Sequence, residues 1–267
     1  MADYLSLLVK KMISTKIIQF NLVKFPILFP LVYGILLYSF PNFEKELILI
    51  TILLLAETHF GATWPFFINK NNFAYLKEKR IELIIIPAMI SIFSLIGFIY
   101  FKSLFLLIFF IVNIYHVTRQ SYGICKLYCK NEQESKFQSN VIYIFNLFFF
   151  LIAFFRFYIP IIQNDYLIFL NIFIIFLLLL TIFYYFKKFG LSENLFVFIT
   201  GCIIFLPASF VSNPIHVILM GVTMHYTQYL YFTTKVNKLR IENFENDAKK
   251  IKNKSFFFIF AIIIYAS

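Results

Sequence analysis

Charge is what this chain has least of. Only 14% of its 267 residues are Asp, Glu, Lys or Arg, while 61% are apolar and 21% aromatic; a soluble domain carries roughly 25% charged residues. So few charges cannot clothe a water-facing surface, which excludes an ordinary soluble globular domain. Glycine is scarce too, at 7 residues, so close glycine-mediated helix crossings are few and packing falls to Phe and Ile. The cysteines, Cys125, Cys129 and Cys202, are odd in number and lack secreted-domain spacing, which argues against a disulfide framework. Cys125 and Cys129 stand four apart at a helix end, a spacing open to a metal pair but commoner for packing thiols. The chain has no phosphate-binding Gly-rich loop, no Ser-His-Asp spacing and no Cys-x-x-Cys pair.

What the chain does have is long apolar runs separated by short charged ones. A membrane span needs about 20 apolar residues. On that basis the fold class is all-α, a polytopic transmembrane bundle of eight spans. They fall near Ile17–Phe40, Leu47–Phe67, Ile81–Phe101, Ser103–Tyr128, Ser139–Ile162, Tyr166–Phe186, Asn194–Ser212 and Pro214–Thr234. Residues 1–234 form the bundle, and 235–267 form a charged cytoplasmic segment followed by a short apolar run, Ser255–Ala266. That last run is too short to cross comfortably.

The net charge of +11 gathers in alternate loops: Lys10, Lys11 and Lys16; Lys70, Lys77, Lys79 and Arg80; Lys126, Lys130 and Lys136; Lys187 and Lys188; then seven more between Lys235 and Lys254. The intervening loops hold only Lys45 and Lys102. Basic loops stay in the cytoplasm, so the N-terminus is expected inside, in a bacterial inner membrane. Anionic lipid, not nucleic acid, is then the partner of this charge. No cleavable signal is evident: the first apolar run is too long and has no small-residue cleavage site.

Ionisable groups within spans are costly, so those present are informative. All four histidines fall inside expected helices: His59, His116, His216 and His225. His59 lies 11 residues before Lys70, His116 lies 10 before Lys126, and His225 lies 10 before Lys235. At about 1.5 Å per residue these three share one depth. Neutral imidazoles converging in a dry interior suit iron, zinc or copper; haem ligation or a proton relay would also use them. His216 lies nine residues before His225, half a turn out of phase and about 13 Å nearer the outside. It joins the same ion only if Pro214 breaks or tilts the helix. Four histidines also cannot supply the dense histidine boxes of membrane desaturases.

Each histidine has polar company. Glu57 precedes His59 by two positions, about 200° around a regular helix, so it orients a ligand or bonds elsewhere. Asn113, His116, Gln120 and Gly123 form one stripe, expected to face inward. Gln228 and Tyr229 share a face with His225. Arg156 is expected at the outer interface, and Arg119 near enough to the cytoplasmic end to snorkel.

The segment His59-Phe-Gly61, the chain length, and the order and intervals of His59, His116 and His225 resemble the Brp/Blh family of membrane β-carotene 15,15′-dioxygenases. The chain departs from that family's pattern at two places: Glu57-Thr58 precede His59, and Gln228 and Tyr229 follow His225 where the family pairs histidines one turn apart. The resemblance implies His59, His116 and His225 as Fe(II) ligands, with His216 as the doubtful fourth. The expected activity is a non-haem iron oxygenase acting with dioxygen on an apolar lipid or carotenoid, the cleavage of β-carotene to retinal being the family's reaction. Glu57, Gln120 and Tyr229 would then support the reacting centre. The alternative is a transporter or channel using the histidines as a proton or metal-ion relay; the Pro and Gly breaks common in transporter helices are sparse here. A third is an assembly subunit in which these groups only join helices.

Overall fold

A computed structural model describes residues 23–61, 77–159 and 164–244. The start of the first expected span, the end of the second, residues 160–162 of the fifth and the last apolar run lie outside those residues. Among the described residues all regular structure is helical, without strands. Its helices are α1 (Phe25–Ser39), α2 (Glu44–Thr51), α3 (Thr58–Gly61), α4 (Ile86–Tyr100), α5 (Lys102–Tyr128), α6 (Glu132–Tyr158), α7 (Asn164–Phe189), α8 (Glu193–Cys202) and α9 (Pro214–Phe244). Wider π-helical turns, Ile52–Glu57 and Ile81–Ile85, lead into α3 and α4.

Four described helices are long and apolar enough to cross a bilayer: Ile81–Tyr100, Lys102–Tyr128, Glu132–Tyr158 and Asp165–Phe189. They match the third to sixth expected spans. The count rises to five if Phe25–Ser39 and Pro41–Ala56, bent by 112°, form one span. The expected eight is therefore too high for the described residues, and each difference has a cause. The first two expected spans meet at Phe40-Pro41 with only a short turn, Pro41–Phe43, between them. The seventh ends after ten residues at Cys202, then tightens into the turn Leu206–Ser209, whose Pro207 cannot continue the ladder. The eighth is a real helix, α9, but Thr223, His225, Gln228 and Thr233 make it too polar for lipid.

The chain forms two compact units. The first comprises residues 1–56 and 117–231, the second 57–116 and 232–267. In the first unit much of α9 is enclosed: Val217, Leu219, Met220 and every residue from Gly221 to Tyr226 are buried. Protein, rather than lipid, surrounds it, which is how it tolerates its polar residues. Its crossing with residue 204 is close, since a Cβ on Gly221 would sit on the Ile204 carbonyl oxygen. A second small-residue contact joins α8 to its neighbours. A Cβ at Gly201 would lie 3.0 Å from Ile142 and 3.3 Å from the Cys125 sulfur. Asn146 of α6 donates to the Gly201 carbonyl at 2.8 Å.

Polar groups fix the ends of these helices. Asn131 caps α6 by accepting the Glu134 N–H at 2.8 Å, and Glu134 reaches back to accept the Lys130 N–H at 2.7 Å. Gly190, at φ 79°, takes the left-handed conformation that ends α7. Arg156 donates to the Ala208 and Val211 carbonyls at 3.0 and 3.2 Å, and Asn171 to Ser209 at 3.3 Å, which anchors the turn between α8 and α9.

In the second unit, α4 and the first half of α5 follow one another with only Phe101 between them. Phe98 and Phe105 meet edge to face at 6.1 Å, and Gly97 leaves room for the Phe105 ring. Ile81–Tyr100 is apolar all round and buries no residue, as expected of a helix whose solvent is hydrocarbon.

Candidate functional site

His216, the least promising histidine from spacing alone, has the most completely determined surroundings. It is buried on the first turn of α9, where Pro214 supplies a preset helical φ. Its Nδ1 lies 2.8 Å from the Tyr33 hydroxyl of α1. Its Nε2 lies 2.8 Å from Glu44 Oε1, on the first turn of α2. Asn213, just before α9, donates to the same oxygen at 3.3 Å. A carboxylate only accepts, so Nε2 carries the proton and Nδ1 accepts from Tyr33. Both ring nitrogens are thus engaged, and in this arrangement neither is left for a metal ion.

The bend between α1 and α2 creates this arrangement. It returns Glu44 to the level of Tyr33's helix end, where the start of α9 meets both. Tyr33 is fully buried and packs with Leu219 and Met220, so the phenol is held from behind. His216 and Glu44 line a cavity of about 1010 Å³ within the first unit. Its other walls are mostly apolar, drawn from α1 (Leu31, Ile35), the turn before α9 (Leu206, Phe210) and α9 itself (Met220, Met224). That volume is at the top of the usual range for a small-molecule site.

The other expected site residues are divided between the units. His59 and His116 belong to the second unit and lie within electrostatic reach of each other. His59 is buried and His116 exposed. His225 belongs to the first unit, is fully buried, and has the Tyr226 and Tyr229 rings 6.0 and 6.1 Å from its own. Tyr229 does therefore accompany His225. Glu57 ends the wide turn before α3, and its side chain lies outside the described part. Gln120 is half-buried, with its Oε1 unbonded among the described residues. Among the described residues no group of three or more His, Cys, Asp or Glu side chains is arranged to hold a metal ion.

The stripe expected to face inward on α5 is rotated. Val117, Thr118, Ser121, Ile124 and Cys125 are buried, whereas His116 and Gly123 are exposed. Small side chains, not the most polar ones, face the interior, where Cys125 donates to the Val197 carbonyl at 3.4 Å.

A second polar centre had no counterpart among the expected sites. Glu134, 1% exposed, accepts from the Tyr185 hydroxyl at 2.6 Å and Asn194 at 2.7 Å. Gln138 donates to Tyr185 and Asn194 and accepts from the Cys129 thiol. The signal was present in Asn131-x-x-Glu134-x-x-x-Gln138, a helix cap followed by a polar pair one turn apart.

Fold and site together define an all-α membrane protein with an apolar cleft and a carboxylate–imidazole–phenol chain beside it. No protein-family model, curated protein or solved structure matches the chain.

Proposed function

We propose that the protein takes a lipid-like molecule from the bilayer into the cleft of its first unit and presents Glu44, backed by His216 and Tyr33, to its polar end. The observation that carries this reading is the hydrogen-bonded chain Glu44–His216–Tyr33 beside an apolar cavity of about 1010 Å³. Glu44 Oε1 is committed to His216 and Asn213, which holds the carboxylate in one orientation. Such a group accepts a hydrogen bond, or a proton, from a substrate hydroxyl or amine. On the charge distribution of the basic segments, the N-terminus lies in the cytoplasm of an inner membrane.

The test is native mass spectrometry of detergent-purified protein for co-purifying lipid-like molecules. Leu31→Trp and Ile35→Trp add bulk at exposed lining positions. Loss of the bound species in both, with the fold intact, is expected. Equal occupancy in parent and variants would remove the cleft as the site.

The pairing of His59 with His116 in one unit favours a second reading, the iron-dependent oxygenase of an apolar lipid or carotenoid. There His59, His116 and His225 would hold Fe(II), whose open positions take dioxygen. Two histidines fall short of that donor set, and the described residues contain no group of three; no reaction step is therefore derived through iron. Plasma mass spectrometry of purified protein beside His116→Ala decides it. Near-stoichiometric iron lost in the variant supports this reading, and equal metal content in both ends it.

A further inference from the structure

We infer that the polar end of the cleft's ligand is a cationic ammonium group carried on a single apolar chain, an inference that rests on the cleft reading above. Charge is the first argument. The protein carries 24 Lys and Arg against 13 Asp and Glu, yet among the described residues no Lys or Arg lines the cleft and Glu44 is its one acid. A site for a phosphate or carboxylate head would need the reverse. Glu44 Oε1 already accepts from His216 and Asn213, whereas Oε2 has no hydrogen bond among the described residues. The carboxylate is half-exposed and so remains open to a ligand.

Aromatic rings supply the second argument. Tyr38 and Phe210 line the same cleft and are 91% and 61% exposed, so their faces are not used in packing. Tyr38 precedes the turn that delivers Glu44, and Phe210 stands three residues before Asn213, which holds Glu44. Ring faces beside a carboxylate attract ammonium groups, quaternary ones included, through the ring quadrupole. The third argument is polarity along the cleft. Its polar lining (Ser39, Glu44, Ser212, Asn213 and His216) belongs to the α1–α2 turn and the start of α9, while Leu31 and Met224 lie about two turns along their helices from Ser39 and His216. One polar end and one apolar end describe a single-chain amphiphile.

The experiment measures equilibrium binding of dodecyltrimethylammonium and of the neutral dodecanol to the full chain in neutral-lipid nanodiscs. The expected preference for the cation is at least tenfold, equivalent to about 1.4 kcal/mol. Glu44→Gln, which retains an acceptor for His216 and Asn213, should reduce that preference about tenfold; Tyr38→Ala should reduce it several-fold without touching the hydrogen-bonded chain. If the two probes bind alike and neither variant alters their ratio, the ammonium inference is overturned while the cleft still stands. If Ile35→Trp leaves the binding of both probes unchanged, the cleft reading fails, and the inference with it.

Discussion

Glu134 offers the sharpest test of how the first unit holds together. Its carboxylate is 1% exposed and accepts three donors: the Lys130 N–H, the Tyr185 hydroxyl and the Asn194 amide. Glu134→Ala strands all three. Tyr185 retains one bond, as acceptor from Gln138, and the Asn194 amide loses its carboxylate acceptor. A buried donor left without its partner costs about 1–3 kcal/mol. Lys130 is exposed and will find water, which discounts one of the three. The expected loss is about 3–5 kcal/mol, the size of two such penalties together. For a chain of this length that is a fall in melting temperature of roughly 6–20 °C.

Glu134→Gln should cost less, about 1–3 kcal/mol, because one oxygen survives and only one side meets an opposing donor. Thermal unfolding in detergent, followed by circular dichroism, measures the series. Asn194→Ala and the double variant complete a cycle, for which a coupling of about 0.5–3 kcal/mol is expected. If Glu134→Ala and Glu134→Gln both stay within about 1 kcal/mol of the parent, the network does not hold these helices. A Gln variant worse than Ala would refute the donor count from which the magnitude was worked.

Two further outcomes follow from single positions. Gly221→Ala places a Cβ on the Ile204 carbonyl oxygen, which no rotamer change relieves; a loss of about 2–4 kcal/mol is expected, whereas Gly123→Ala, with open space at its Cβ, should gain about 0.5–1 kcal/mol in the same unfolding assay. Burial, reinforced by the Glu134 charge, pushes the Cys129 thiol up to about 11. An unfolded thiol titrates near 8.5, so the folded state keeps its proton longer; this contribution to stability is complete below about 8.5 and fades as pH rises through 11. Alkylation of Cys129 by iodoacetamide, read by peptide mass spectrometry, should therefore climb only toward pH 11, and half-maximal reactivity near 8.5 would contradict the burial.

Much of the fold was legible because hydrocarbon imposes a simple pattern. The expected spans at 81–101, 103–128 and 166–186 correspond to the helices Ile81–Tyr100, Lys102–Tyr128 and Asp165–Phe189, with ends shifted by three residues at most. The first and last of these are apolar all round, the second over its first half, and composition alone reveals them. Hydropathy failed where protein replaces lipid as the surroundings. It overrated 194–212, whose apolar residues serve a short buried helix and a turn, and it gave α9 a lipid-spanning role although that helix is enclosed by its own unit. The face of α5 was misjudged for a related reason. Polarity pointed to His116 and Gln120, but the buried residues are Thr118, Ser121 and Cys125, the last of them packed against Gly201. The partners of His216 lay beyond any local pattern, because Tyr33 and Glu44 are 183 and 172 residues away and come together only through the bend at Phe40-Pro41.

The two polar centres of the first unit differ in a way that separates structure from function. At Glu134 both carboxylate oxygens are occupied by protein donors, the acid is sealed from solvent, and Gln138 closes the remaining bonds of Tyr185 and Asn194. Such a network specifies how helices register and has nothing left to offer a ligand. At Glu44 the protein fixes one oxygen through His216 and Asn213, and the acid stays half-exposed at the edge of an apolar cleft. Fixing half of a carboxylate immobilises it at the cost of ordering a buried histidine, a buried tyrosine and a helix start. For helix packing alone a closed network, as at Glu134, would be the more economical device. The open oxygen at Glu44 is therefore what supports the proposal that a ligand is met at this end of the cleft.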